Sequence, residues 1–244
     1  MKGTGKIAQA LCIGVMAALL WGASANAKLG GLSKALGKKA KYTLTVADLE
    51  PKLADLPLGD IQFKGIKYSY IGAGQYDAFF LSSAKTHGLV TLNKQMTEAS
   101  TKSLKKFAMS KAADEAMKEN IDELVGDTPP EQWTVEQDVA VLKMAKQQDK
   151  ISKDEKRYFA QTAGTMAIGV AALVKNLGTT KDLTGQGVEL QKSATKLKKT
   201  KVISATKGLK KSLENLKEAS TKGPKLVEEM KVLTSAFQAL GGDE

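Results

Sequence analysis

The residues with the clearest capacity for chemistry are the lysines of the C-terminal quarter. Twelve fall between Lys192 and Lys231, against Glu214, Glu218, Glu228 and Glu229, a local net charge of +8. Lys192, Lys196, Lys198, Lys199, Lys201, Lys207, Lys210, Lys211 and Lys217 are the expected contacts for an anionic partner. Arg157 is the only arginine. Arginine's planar fork reads phosphates and bases bidentately, whereas lysine is a mobile point charge. Residues 192–222 also contain no aromatic side chain on which a base could stack. The chemistry expected is diffuse attraction to lipid headgroups, an acidic envelope polymer or an acidic protein, without specific nucleic-acid recognition. The competing reading is a solvated face that keeps the protein soluble.

Other reactive groups are sparse. Glu115, Glu119 and Glu123 recur at four-residue spacing with Asp122 beside them, which puts an acidic face on a helix. Such a face could hold a cation or pair carboxylates for acid–base work. Lys111 and Lys118 nearby favour a solvated surface, or one that docks on the basic segment of this chain or a second copy. His87 is the only histidine, and Ala84 stands where Glu-x-x-His would need a glutamate. Ser82 and Ser83 lack a Gly-x-Ser-x-Gly setting. Gly72-Ala73-Gly74 lacks the third glycine and acidic partner of a dinucleotide site and reads as a turn. No catalytic, cofactor or metal residues are therefore assigned, and an enzyme built on the acidic helix is the least supported reading. Tyr68, Tyr70, Tyr76, Phe79 and Phe80 lie close in sequence and are expected to form an aromatic patch, the second candidate contact surface.

The compartment follows from the first residues. Lys2 and Lys6 precede the apolar run Ile7–Leu20, and Ala25-Asn26-Ala27 ends a small-residue segment. This is the pattern of a signal peptide cleaved after Ala27, which places the mature protein in the periplasm or outside the cell. Cys12, the only cysteine, would leave with the leader, and with it any disulfide or thiolate chemistry. Losing Lys2 and Lys6 leaves 35 cationic against 26 acidic residues, a net charge of +9. The chain divides into a signal peptide (1–27), a lead-in (28–74) and a helical domain (75–244).

The lead-in starts with a flexible or weakly helical Gly- and Lys-rich stretch to Lys41. Leu49, Leu53 and Leu56 predict a short helix, kinked at Pro51 and stopped by Pro57, and Ile61–Ile71 suits a strand or a lead into the next helix. Helix is expected for residues 75–88 and again from Asn93 to Val125, ending at Gly126-Asp127-Thr128-Pro129-Pro130. Capping boxes at Thr134–Gln137 and Ser152–Glu155 open two more. Gly178–Gly187 reads as a loop. A lysine-rich helix follows from Gln186 to Thr221, with a break near Gly208, and Ser-Ala-Thr-Lys at 193 and 204 hints at an 11-residue repeat. Gly223-Pro224 should restart the chain, and Leu226, Met230, Leu233, Phe237 and Leu240 then mark a firm apolar stripe.

Tyr158–Val174 is 17 residues without a charge, bracketed by Arg157 and Lys175. A helix apolar on every side should be buried all round, as the centre of a bundle. Its second reading is insertion into a membrane, although the run is short for a span. The expected fold is all-α, an antiparallel bundle of four to six helices, elongated if the lysine helix is continuous, with a short irregular or β-containing N-terminal segment. The expected function is non-enzymatic: an exported envelope protein, binding or structural, that meets an anionic envelope component or protein partner through its lysine face. Peripheral membrane contact and self-association are both compatible with that surface.

Overall fold

The computed structural model describes residues 41–54, 56 and 61–242. The expected signal peptide, the start of the expected lead-in and the expected stop at Pro57 lie outside the described residues. A two-stranded antiparallel sheet pairs β1 (Lys41–Leu44) with β2 (Ile66–Ser69), with Tyr42 opposite Tyr68. Between them lie two single-turn helices, α1 (Val46–Leu49) and α2 (Pro51–Ala54), whose Leu49 and Leu53 enter the core. The strand expected in Ile61–Ile71 is thus present. Its partner, Lys41–Leu44, starts where the Gly- and Lys-rich stretch ends and had no assignment from the sequence.

The remainder is helical: α3 (Gly74–Ala112), α4 (Lys118–Val125), α5 (Val135–Gln147), α6 (Lys153–Gly178), α7 (Thr180–Ser193) and α8 (Lys199–Gly241). The all-α bundle is as expected. The described residues hold eight helices, two of them a single turn. Both capping boxes form, with Thr134 accepting from the Gln137 amide and Ser152 from the Glu155 amide.

Three limbs make the body. Helix α3 has 39 residues and α8 has 43, lengths of roughly 60 Å and 65 Å. They run parallel: Ser83 meets Ser212 and His87 approaches Glu218. The limb between them returns in two pieces. Helix α6 runs antiparallel to α3, with Lys111 on Glu155 and Phe107 against Phe159, and antiparallel to α8, with Phe159 near Phe237 and Leu177 on Gly223. After a kink at Thr179, α7 continues alongside the first part of α3. Helix α5 packs on the later part of α3.

Several local expectations are overturned, each for a packing reason. Residues 75–88 and 93–112 form one helix, since nothing between them breaks it; the end expected after Val125 is present, with Gly126 as the cap, but a further break falls at Ala113-Asp114. Most of the Gly178–Gly187 "loop" is the start of α7, and Gly208 lies within α8. Gly187 and Gly208 are there to admit rings. A Cβ on Gly187 would come within 2.6 Å of Phe79 Cζ, and one on Gly208 within 2.6 Å of Phe80 Cζ. Pro224 does not restart the chain. It removes one backbone donor, but Ala219, Gly223, Leu226 and Val227 are buried on either side and hold α8 in place. The first Ser-Ala-Thr-Lys lies at the end of α7 and the second inside α8, so they are not a structural repeat. Helix α6 is not buried all round. Phe159, Met166 and Leu173 face the core, while Ala160, Gly164, Ala167, Ala171 and Val174 are exposed on its outer side.

Candidate functional site

The lysine-rich surface is carried by the hairpin of α7 and the first half of α8, and aromatic residues of α3 hold that hairpin in place. Tyr76, Phe79 and Phe80 start α3 and form a second, smaller core with Leu190, Ala205, Leu209 and Leu216. Phe79 fills the space over Gly187 and Phe80 the space over Gly208. The Tyr76 hydroxyl donates to the Leu190 carbonyl at 3.0 Å and lies 3.0 Å from Ser193 Oγ. Ser83 donates to the Ser212 carbonyl at 2.9 Å.

The expected aromatic patch therefore divides. Tyr76, Phe79 and Phe80 are almost wholly buried and unavailable to a partner, because their rings fasten α7 and α8 to α3. Tyr68 and Tyr70 stay half-buried at the sheet, joined by Tyr42, with ring centroids 5.7 Å and 5.8 Å from it. Burial, reinforced by Tyr42, pushes the Tyr68 hydroxyl up to about 12. Tyr42 was not legible as a member, because only strand pairing over 26 residues brings it to Tyr68.

The nine lysines divide too. Lys192 pairs with Glu189 at 2.7 Å along α7. Lys201 is half-buried and donates to the Gly72 carbonyl. There it lies near Asp77, whose carboxylate accepts from the amides of Ile71 at 2.7 Å and Ala73 at 2.6 Å. Burial raises the Asp77 carboxyl, and these two amides and Lys201 oppose it. The other seven, Lys196, Lys198, Lys199, Lys207, Lys210, Lys211 and Lys217, are exposed, and none has an ion-pair partner among the described residues. Lys199, Lys210 and Lys217 fall on one exposed line of α8 that flanks the buried Ala205, Leu209 and Leu216, and Lys207 lies further round, opposite that buried face. Ile203 projects between Lys199 and Lys207 and is 66% exposed.

The remaining candidates have ordinary roles. His87 is half-buried in the middle of α3, with Nδ1 4.0 Å from Glu218 Oε2. Burial lowers its pKa against the pull of Glu218, so it is neutral near pH 7. Glu115 opens a 3-10 turn, and Glu119, Asp122 and Glu123 are exposed on α4. Among the described residues, no three His, Cys, Asp or Glu side chains gather in a way that would hold a metal ion. No known protein family, curated protein or solved structure matches the chain.

Proposed function

We propose that this chain is an exported, non-enzymatic envelope protein that attaches to an anionic partner through the α7–α8 hairpin. The observation that carries this reading is the set of seven exposed lysines, without an ion-pair partner among the described residues, on a hairpin fastened by three buried rings. Long-range attraction needs no shaped pocket, only like charges that are not neutralised locally, and a rigid base keeps them on one side. Near a negative surface each such lysine adds about 1 kcal/mol.

The test is flotation of purified residues 28–244 with phosphatidylglycerol or phosphatidylcholine vesicles across a salt series, with dye leakage read in parallel. Binding to anionic vesicles alone, lost at high salt and without leakage, is the expected result. Replacing Lys199, Lys207, Lys210 and Lys217 by glutamine should abolish it. Absence of binding both to anionic vesicles and to a heparin column would discard the reading.

The alternative, insertion of residues 158–174, has the exposed small-residue face of α6 in its favour. Its large side chains, however, belong to the core, and no described helix is long and apolar enough to cross a membrane. Salt-resistant binding with leakage would favour it.

A further inference from the structure

We infer that the groove between α3 and α6 is a second binding site, separate from the lysine hairpin, and that it takes an acidic oligosaccharide. The groove has a volume of about 790 Å³, within the range of sites that enclose organic ligands. It follows α3 from Gln95 to Ser110, a distance of roughly 22 Å, so its occupant is elongated.

Its lining is polar where a helix–helix seam is usually apolar. Ser100 is 6% exposed and Thr162 half-buried, and neither hydroxyl has a hydrogen-bond partner among the described residues. Gln95 Oε1 is covered and accepts nothing. Ser103 Oγ accepts from the Tyr158 hydroxyl at 2.8 Å and keeps its own proton to donate. Met96, Phe107 and Met166 supply apolar surface between these groups.

The charges at the rim are unequal. Glu155 is bound by Lys111 at 2.8 and 3.0 Å and by the Ser152 amide at 2.7 Å. Glu98 lies 3.7 Å from Lys94. Both carboxylates are thus offset by cations of their own. Lys102 and Lys106 are exposed at the same rim without an ion-pair partner among the described residues, so the free charge is positive.

These features select the ligand. An acyl chain would leave Gln95, Ser100 and Thr162 without hydrogen bonds, which is unfavourable in a partly dry site. A lone inorganic anion would leave the length of the groove unused. A chain of sugar rings has hydroxyls along its edge for this row of groups and C–H faces for Met96, Phe107 and Met166. Carboxylates on those rings would meet Lys102 and Lys106.

The experiment is calorimetric titration of the purified protein with trigalacturonic acid, and with maltotriose as a neutral chain of the same ring number. Saturable one-site binding of the uronate, at least about tenfold tighter than maltotriose, is expected. Lys102→Gln with Lys106→Gln should weaken the uronate about tenfold, and Thr162→Leu should weaken it by obstructing the floor. Changing Lys199, Lys207 and Lys210 to glutamine should leave it unaltered, which separates this site from the proposed attachment surface. No saturable uronate binding, equal affinity for maltotriose, or loss of binding in the hairpin variant but not in the groove variants would each overturn the proposal. Lys102 and Lys106 are exposed and make no hydrogen bond or ion pair among the described residues. Unweakened uronate binding in that double variant is therefore decisive, whatever Thr162→Leu does to folding.

Discussion

Helices α6 and α7 are two lengths of the same returning limb, and they are held by opposite arrangements of side chains. Helix α6 supplies its own anchors. Phe159 sits 5.0 Å from Phe107 and 5.9 Å from Phe237, and Met166 and Leu173 continue the same buried line. Helix α7 offers little of its own beyond Leu190 and a bare backbone at Gly187, and receives the rings of α3. A limb that inserts side chains is fixed by many contacts, whereas one that accepts rings depends on a few. The exposed lysines are carried on the part that depends on a few.

The largest effect should come from removing one ring on each side. Phe159→Ala and Phe79→Ala should each cost about 3–5 kcal/mol, with different reach. Hydrogen exchange should show Phe159→Ala speeding the slowest amides of all three limbs. Phe79→Ala should speed those of α7 and the first half of α8 while α6 stays protected. Uniform loss of protection in both variants would erase the distinction between the two halves.

Two glycines of α7 sharpen the same point with opposite signs. Gly185 has nothing within 4 Å of where a Cβ would stand, while Gly187 is occupied by Phe79. In thermal melts, Gly185→Ala should stabilise the protein by about 0.5–1 kcal/mol, and Gly187→Ala should destabilise it by about 1–2 kcal/mol despite the better helix former. Two stabilising substitutions would mean that α7 is not fastened by that ring.

The last effect lies on the α5 side, away from α7, and depends on pH. Asp138 is fully buried, with neither carboxylate oxygen hydrogen-bonded. Burial lifts its carboxyl to about 6, and Lys105, which donates to the carbonyls of Glu131 and Trp133, opposes the rise. A carboxyl raised in the folded state stabilises the fold while protonated, and that contribution is lost as pH rises from about 4 through about 6. Asp138→Asn should therefore raise stability by about 1–2 kcal/mol at pH 7.5 and change little at pH 4. The exchange of α7 should not respond. An equal gain at both pH values would show that the carboxylate is not the cause.

What could be read from the sequence was local. Thr134 and Ser152 announced their helices because capping is decided within three residues, and the apolar stripe from Leu226 to Leu240 is indeed buried. The errors occurred where a distant residue changed the meaning of a local signal. Gly187 and Gly208 looked like breakers until Phe79 and Phe80 occupied them, and Pro224 looked like a boundary until its neighbours were buried on both sides. The same distance explains the sites. The lysines of the hairpin fall within 26 residues of sequence and were visible as a group. The groove joins residues near 100 with residues near 160, and no window along the chain contains both.

The parallel course of α3 and α8 also sets the order in which the molecule can be completed. Ser83 finds Ser212 across 129 residues of chain, so the face of α3 that meets α8 stays bare until the last helix exists. Closing so long a loop is slow compared with forming a neighbouring hairpin. During that interval Tyr76, Phe79 and Phe80 have only α7 to cover them, Phe80 lacks the Gly208 backbone on which it packs, and the nascent chain is at its stickiest. A truncation that removes α8 should therefore precipitate during synthesis instead of accumulating as a smaller folded protein.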